Sequence, residues 1–132
     1  MTLPKLLAKT QVIFNAWIRE RDKNNGCISC GGAVNHAGHY YSQGYYSSLR
    51  FNPINVNGQC IKCNTYMHGN LINYRKGLIK KYGPEVVENL ENIAEVHKVY
   101  KWDRTDLEII ITNYGKSKSR KARNGNNTKG AE

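Results

Sequence analysis

Four cysteines of this chain form two Cys-x-x-Cys pairs, Cys27/Cys30 and Cys60/Cys63. Two thiolates at that spacing reach one tetrahedral Zn²⁺, and two such pairs complete a four-sulfur shell with no open position for chemistry. The pattern therefore predicts a structural zinc that staples two separate parts of the chain. Two disulfides or unliganded thiols are the alternatives, but in a reducing compartment thiols pair with metal rather than with each other.

The compartment is inferred from the apolar segments. The chain opens Met-Thr-Leu-Pro-Lys without an apolar run long enough for a signal peptide. No segment approaches the roughly 18 to 20 apolar residues of a membrane span. We therefore expect a cytoplasmic protein without a membrane partner.

The chain is strongly basic, with 20 Lys and Arg against 10 Asp and Glu and a formal net charge of +10 over 132 residues. Such an excess indicates a polyanionic partner, most simply nucleic acid, and a solvated charged surface is the alternative. Between Lys23 and Pro84 there is no Asp or Glu, so the segment around the predicted zinc is uniformly positive. The cations expected to contact phosphates are Arg50, Lys62, Arg75, Lys76, Lys80 and Lys81.

Periodicity predicts a small hairpin among helices. Apolar residues at helical spacing indicate a helix over residues 3–22. The stretch 31–59 is short enough for a β-hairpin, and a helix should begin near Cys63, with Gly69 as a break or a second start. Gly83-Pro84 ends one helix and starts another. Thr105 opens a last helix through a capping box, although a strand is the alternative around Ile109–Ile111.

The fold class is therefore α+β, in four regions. These are an N-terminal helix (1–25), a zinc-bound core (26–82), C-terminal helices (83–115) and a basic tail (116–132). The tail lacks large apolar side chains, so we expect it to be disordered and to add nonspecific DNA affinity.

Four tyrosines within the hairpin region suggest a strand and a turn rather than a helix. They are Tyr40, Tyr41, Tyr45 and Tyr46. Such rings either stack on exposed bases or fill a core, and in a small hairpin the core is the commoner fate.

The ordered set of motifs resembles a known family. Cys27-Ile-Ser-Cys30-Gly is followed by Ala37-Gly-His39-Tyr, and then by a segment from Leu49 to Cys60-Ile-Lys-Cys63-Asn64. This set is similar to the HNH (His-Me finger) group of ββα-metal nucleases and most closely resembles the phage NinG/Rap recombination family, over residues 27–82. Phage junction-resolving enzymes of the endonuclease VII type look similar too. The resemblance implies a zinc-stapled ββα-metal core with flanking α-helices.

The same resemblance implies roles for single residues. His39, at the end of the first strand, would be the general base, with an imidazole pKa near working pH; a structural hydrogen bond is the alternative. Asn55 would be the middle Asn of the HNH motif and would orient the His39 ring or pin its loop. Asn57 is the competing candidate for this role, and an ordinary Asn turn is the alternative for either residue. Asn64 would offer an amide oxygen to a catalytic Mg²⁺ or Mn²⁺, or would simply cap a helix.

One position departs from the common HNH pattern. Many HNH enzymes carry Asp or His immediately before the general base, and this chain has Gly38. No carboxylate between residues 23 and 84 can replace it. The metal would then be held by Asn64, phosphate oxygens and water, with His36, Asn35 or His68 as candidates for a further ligand. We expect metal binding without DNA to be weak.

What the resemblance implies for function is a phage-type DNA endonuclease that cuts branched recombination intermediates such as Holliday junctions in the host cytoplasm. Symmetric cleavage of a four-way junction needs two active sites, so we expect a homodimer. A branch-independent HNH nuclease of nicking or homing type is the second interpretation, and a non-catalytic zinc-ribbon DNA-binding module is the third. His39 and Asn64 separate enzyme from module, because binding alone needs neither.

Overall fold

The structure is a computed structural model that describes the backbone of residues 1–127 and the side chains of residues 1–115. Within these residues the chain is a mixed fold of helices and one small two-stranded sheet. The elements are α1 (Leu3–Asp22), β1 (His36–His39), β2 (Val56–Gln59), α2 (Leu71–Tyr82), α3 (Pro84–Val96) and α4 (Arg104–Asn127). The predicted α+β class is confirmed, and α1 covers the residues predicted to be helical.

The described chain divides into two compact units, one of residues 1–17 with 102–127, and one of residues 18–101. In the first unit, the Tyr114 ring packs edge-on against both Phe14 and Trp17, with ring centroids 4.8 Å apart in each pair. These aromatic contacts form part of the apolar packing of that unit.

Helix α4 begins with a reciprocal cap that lies earlier than predicted. The Asp106 N–H donates to the Asp103 carboxylate at 2.8 Å, and the Asp103 N–H donates to the Asp106 carboxylate at 3.3 Å. The predicted capping box at Thr105 is therefore wrong by two residues, because Asp is as good an N-cap acceptor as Thr. Ile109–Ile111 lie within the helix and not in a strand.

In the second unit, β1 and β2 pair antiparallel, with His36 opposite Gln59 and His39 opposite Val56. The segment between the strands contains turns and a 3₁₀ helix, Ser47–Leu49, so the strand suggested around the four tyrosines is absent. Three of these rings instead pack against a buried core, and Tyr45 is exposed. The core residues are Leu49, Tyr74, Leu78, Val87, Leu90 and Ala94.

The helix predicted near Cys63 is a single π-helical turn, Lys62–Tyr66. It ends because His68, Gly69 and Asn70 have φ values of 51°, 96° and 46°, in the left-handed region where a right-handed helix cannot continue. The break predicted at Gly69 is present, and α2 starts afresh after it. Asn64 and His68 consequently do not share one continuous helical face.

The C-terminal boundary also differs from the prediction. Helix α4 continues to Asn127, past Gly115, so its backbone covers the first part of the predicted tail. Lys and Arg, which are frequent in this stretch, have high helix propensity. Residues 128–132 and the side chains from residue 116 lie outside the described part, so the contribution of the tail to DNA affinity stays a prediction. None of the described helices is long and apolar enough to cross a membrane.

Candidate functional site

The four cysteine side chains converge on one point. Their sulfur atoms all lie within 4.8 Å of one another, and the Sγ atoms of Cys30 and Cys60 are 3.6 Å apart. Two sulfurs of a tetrahedral Zn²⁺ with bonds of about 2.3 Å are ~3.8 Å apart. The four thiols can therefore hold one zinc ion, as their spacing in the sequence predicted.

The first cysteine pair lies on a tight knuckle. The Cys27 N–H donates to the Gly32 carbonyl at 2.7 Å, and the Gly31 N–H donates to the Cys27 carbonyl at 2.8 Å. Gly31 has a φ of 81°, which a side chain would disfavour. The Gly32 N–H then points at the Cys30 sulfur, at 3.4 Å. Backbone geometry thus presents both sulfurs to the same side.

The second pair lies where β2 meets the π-helical turn. The Cys63 N–H donates to the Cys60 sulfur, and Asn70 Nδ2 donates to the Cys63 sulfur, both at 3.4 Å. Such N–H donors orient the ligands and favour the thiolate that zinc requires. A zinc ion here would join the first knuckle to the turn that carries Asn64.

His39 lies at the end of β1 against the loop that connects the strands. Its Nε2 is 3.0 Å from the Arg50 carbonyl oxygen. A carbonyl only accepts, so Nε2 carries the proton and Nδ1 keeps its lone pair. Burial lowers the pKa of His39 below its ordinary 6.5; the bond to the Arg50 carbonyl opposes this shift, and the charge of Arg50 adds to it. The ring is therefore neutral at neutral pH, with one nitrogen available as a base.

Asn55 is fully buried and fastens the loop that holds His39. Its Nδ2 donates to the carbonyls of Tyr41 and Leu49 at 3.0 and 3.1 Å, and its Oδ1 accepts from the Tyr41 N–H at 2.8 Å. Leu49 directly precedes Arg50, whose carbonyl contacts His39. Asn55 thus fastens the loop, as one of its two predicted roles requires, and an effect of Asn55 on the His39 ring stays a prediction.

Asn57, the competing asparagine, belongs to a separate buried network. Its Oδ1 accepts from Arg21, Lys81 and the Tyr82 hydroxyl at 3.1, 3.0 and 3.3 Å. Asp22 lies in the same network; burial alone would raise the pKa of Asp22, but hydrogen bonds from Arg21 and Lys81 and from the backbone hold it at about 2. This network ties the end of α1 to β2 and α2.

Asn64 follows the last cysteine directly and reaches toward the residue before His39. Its Nδ2 is 3.0 Å from His36 Nδ1, which must accept because an amide nitrogen donates. Its Oδ1 faces Gly38, since an ideal Cβ on Gly38 would lie 2.9 Å from it. His36 therefore positions Asn64 and has no Nδ1 lone pair left for a metal. Asn35, the other candidate ligand nearby, instead accepts from the Ile61 N–H at 3.3 Å.

Gln59 is a site residue that the sequence analysis missed. It is fully buried on β2, and its Nε2 donates to the Gly69 carbonyl at 2.8 Å and to Ser29 Oγ at 2.9 Å. Its Oε1 has no hydrogen-bond partner among the described residues. A Cβ on Gly38 would overlap this oxygen and would lie 2.8 Å from Gln59 Cδ. The available signal was Gly38 itself, because a glycine on one strand leaves room for a side chain from its partner strand.

Three of the predicted phosphate contacts already have partners within the chain. Arg75 pairs with Glu91 at 2.6 Å, and Lys81 pairs with Asp22 at 3.0 Å. Arg50 is half-buried, with its guanidinium 5.6 Å from the centre of the Phe51 ring. These cations contribute to packing and ion pairing within the fold.

The other three predicted contacts are exposed lysines, Lys62, Lys76 and Lys80. None of them forms an ion pair with the residues whose side chains are described. Lys76 and Lys80 line a cavity of about 640 Å³ beside the first knuckle. His68 is exposed as well, in its left-handed turn.

Comparison with known proteins identifies one family and several relatives from phages. The family model described as "Bacteriophage Lambda NinG protein" matches residues 3–125. The chain belongs to the NinG family. Protein ninG of Escherichia phage lambda is 37% identical over 111 residues, covering 82% of this chain and 53% of that protein. Protein ninG of Salmonella phage P22 is 36% identical over the same shares.

Protein ninG of Escherichia phage 933W is 36% identical over 111 residues, with 82% of this chain and 54% of that protein covered. The chain thus spans about half the length of these NinG relatives. No solved structure matches it significantly. The predicted likeness to NinG is confirmed at the level of the family.

Proposed function

We propose that this NinG-family chain is a zinc-stapled HNH-type DNA endonuclease that hydrolyses phosphodiesters in branched recombination intermediates such as Holliday junctions. The observation that carries the proposal is the state of His39: its Nε2 is held by the Arg50 carbonyl, which leaves Nδ1 as a free base. The amide oxygen of Asn64 faces the neighbouring residue, Gly38. Phosphodiester hydrolysis requires a base and an oxygen donor for a hard cation, and His39 and Asn64 would supply them from two neighbouring parts of the hairpin and turn.

The roles of the side chains follow from these contacts. His39 takes a proton from the attacking water, and its lowered pKa keeps it deprotonated at working pH. Asn55 holds the loop so that the Arg50 carbonyl stays on Nε2. Asn64, oriented by His36, presents a neutral oxygen that suits Mg²⁺ or Mn²⁺. Such a cation, when bound, would stabilise negative charge on the phosphate and the leaving oxygen.

Binding to DNA rests on charge and on the zinc. The formal net charge of +10 and the exposed Lys62, Lys76 and Lys80 supply phosphate contacts of the kind that bind any DNA sequence. Zinc at the four thiols would keep Asn64 beside the hairpin. We propose a homodimer as the active form, because two symmetric cuts in a four-way junction need two active sites.

The experiment is a magnesium-dependent cleavage assay on linear duplex, fork and four-way junction. Wild type should cut the branched substrates faster than the duplex. His39→Ala should abolish cleavage while zinc content and junction affinity stay unchanged, because the base acts in the transition state. The matched control is His97→Ala at the exposed end of α3, which should cut like wild type.

Each other outcome favours a different function. Wild-type cleavage by His39→Ala, in preparations free of contaminating nuclease, would refute this active site. Equal cleavage of duplex and junction would favour a branch-independent nicking or homing-type nuclease. Binding without any cleavage by wild type would favour a zinc-ribbon DNA-binding module.

A further inference from the structure

We propose that Gln59 supplies a second protein ligand to the divalent cation, in place of the side chain that Gly38 lacks. This inference rests on the proposed function, because it concerns the same metal site. It assigns a role to a residue that neither the motif pattern nor the charge distribution singles out.

The first observation is the unpaired carbonyl oxygen of Gln59. Gln59 is fully buried, and its Oε1 has no hydrogen-bond partner among the described residues. A buried carbonyl oxygen without a partner is uncommon, because it loses its hydrogen bonds to water on folding and gains none within the protein. A cation bound to this oxygen would account for its position.

The orientation of the amide is fixed by its other end. Nε2 donates to the Gly69 carbonyl at 2.8 Å and to Ser29 Oγ at 2.9 Å. Turning the amide over would place two carbonyl oxygens against each other, since the Gly69 oxygen only accepts. Oε1 must therefore face Gly38.

The second observation is that two amide oxygens meet beside Gly38. A Cβ on Gly38 would overlap Gln59 Oε1 and would lie 2.9 Å from Asn64 Oδ1. Both oxygens thus lie next to the point where the side chain of an Asp or His at position 38 would begin. The register explains this, because His36 is opposite Gln59 and the open space over Gly38 is the diagonal neighbour.

The donor chemistry defines the ligand. Two neutral amide oxygens suit a hard divalent cation such as Mg²⁺ or Mn²⁺ and offer nothing to a soft metal. Because neither oxygen carries a full charge, the site needs phosphate oxygens to complete its shell. We therefore place the cation at the interface with bound DNA.

The test measures Mn²⁺ affinity by electron paramagnetic resonance on complexes with a four-way junction. All chains carry His39→Ala, so that the DNA stays intact. Adding Gln59→Ala should weaken Mn²⁺ binding roughly tenfold or more. Adding Asn64→Ala should weaken it as well. Ser29→Ala is the matched control, because it removes one hydrogen bond to Nε2 but leaves Oε1 in place, so it should bind Mn²⁺ as tightly as the His39→Ala chain without further change.

Two further variants separate metal binding from folding. Gly38→Ala keeps the Gln59 side chain but displaces its oxygen; because its Cβ would also lie 2.9 Å from Asn64 Oδ1, it is compared in chains that already carry Asn64→Ala. There Gly38→Ala should weaken Mn²⁺ binding further, and this comparison is the deciding one if Gln59→Ala loses zinc. Gly38→Asp combined with Gln59→Ala should restore binding, because the new carboxylate fills the vacated space.

The outcomes distinguish this inference from the function it rests on. If Asn64→Ala weakens Mn²⁺ binding while Gln59→Ala with full zinc content does not, the metal site stands and the role of Gln59 is refuted. The same holds if Gly38→Ala, added to Asn64→Ala with full zinc content, causes no further loss. Failure of the Gly38→Asp combination to restore binding in a folded chain also refutes it. If the junction complex binds no Mn²⁺ at all, both the proposed catalytic cation and the role of Gln59 as its ligand are refuted.

Discussion

Replacing Asn55 by alanine should destabilise the chain markedly and stop cleavage by a route other than that of His39→Ala. Asn55 makes three hydrogen bonds to the backbone of Tyr41 and Leu49, and all three disappear with the amide. At roughly 1 kcal/mol each, with buried backbone groups left unpaired, the free energy of unfolding should fall by about 3 kcal/mol. The melting temperature should drop by roughly 10 °C.

Urea unfolding at saturating zinc, followed by circular dichroism, measures this loss. The control is Asn35→Ala, because Asn35 is exposed and accepts a single 3.3 Å bond from the Ile61 N–H. It should change stability by no more than about 0.5 kcal/mol. If Asn55→Ala were as stable as this control, the loop would not depend on the Asn55 amide. Wild-type cleavage by the folded Asn55→Ala chain would show that holding the Arg50 carbonyl is irrelevant to His39.

Three further predictions concern zinc, pH and salt. Removing zinc with a chelator, or replacing Cys60 by serine, should unfold the unit of residues 18–101, so that any loss of cleavage follows from unfolding. Elemental analysis measures the zinc content and circular dichroism measures the folded fraction. A metal-free chain with an unchanged spectrum would contradict this prediction. The cleavage rate should rise with pH and reach its plateau at a pH below 6.5, because burial lowers the pKa of His39 and the neutral ring is the base. A rate that still rises tenfold from about pH 7 to 8 would exclude His39 as the base. Lys80→Ala should lower the slope of log affinity against log salt by about one, measured by fluorescence anisotropy, whereas Lys81→Ala should chiefly lower stability because Lys81 pairs with Asp22. Equal salt slopes for Lys80→Ala and wild type would remove Lys80 from the DNA interface.

The sequence predicts the parts of this molecule that depend on local spacing. The Cys-x-x-Cys pairs fix two sulfurs each, and the breaks at Gly69 and Gly83 follow from the conformations that glycine permits. The antiparallel hairpin between the pairs follows from the short distance between them along the chain. These features need no knowledge of distant contacts.

Features that depend on distant partners were not predictable in the same way. Arg75 and Lys81 lie in a segment without carboxylates, so the sequence predicts that both are available to phosphates. In the structure, however, Arg75 pairs with Glu91 in α3 and Lys81 pairs with Asp22 at the end of α1. The role proposed for Gln59 depends on strand register, which places its amide over Gly38. Strands of four residues with the sequences HAGH and VNGQ have no hydrophobic alternation that would fix their register, and composition does not show which carboxylate faces which lysine.

The shared space of Gly38 and Gln59 has a consequence for how this site evolves. One volume beside the strand end holds either a side chain from position 38 or the amide from position 59, because a Cβ on Gly38 would overlap Gln59 Oε1. The two positions should therefore covary among homologous chains, with Asp or His at the first accompanied by a small residue at the second. A lineage can then exchange a ligand at position 38 for one at position 59 only through paired substitutions. Intermediates that carry both side chains, or neither, should be rare.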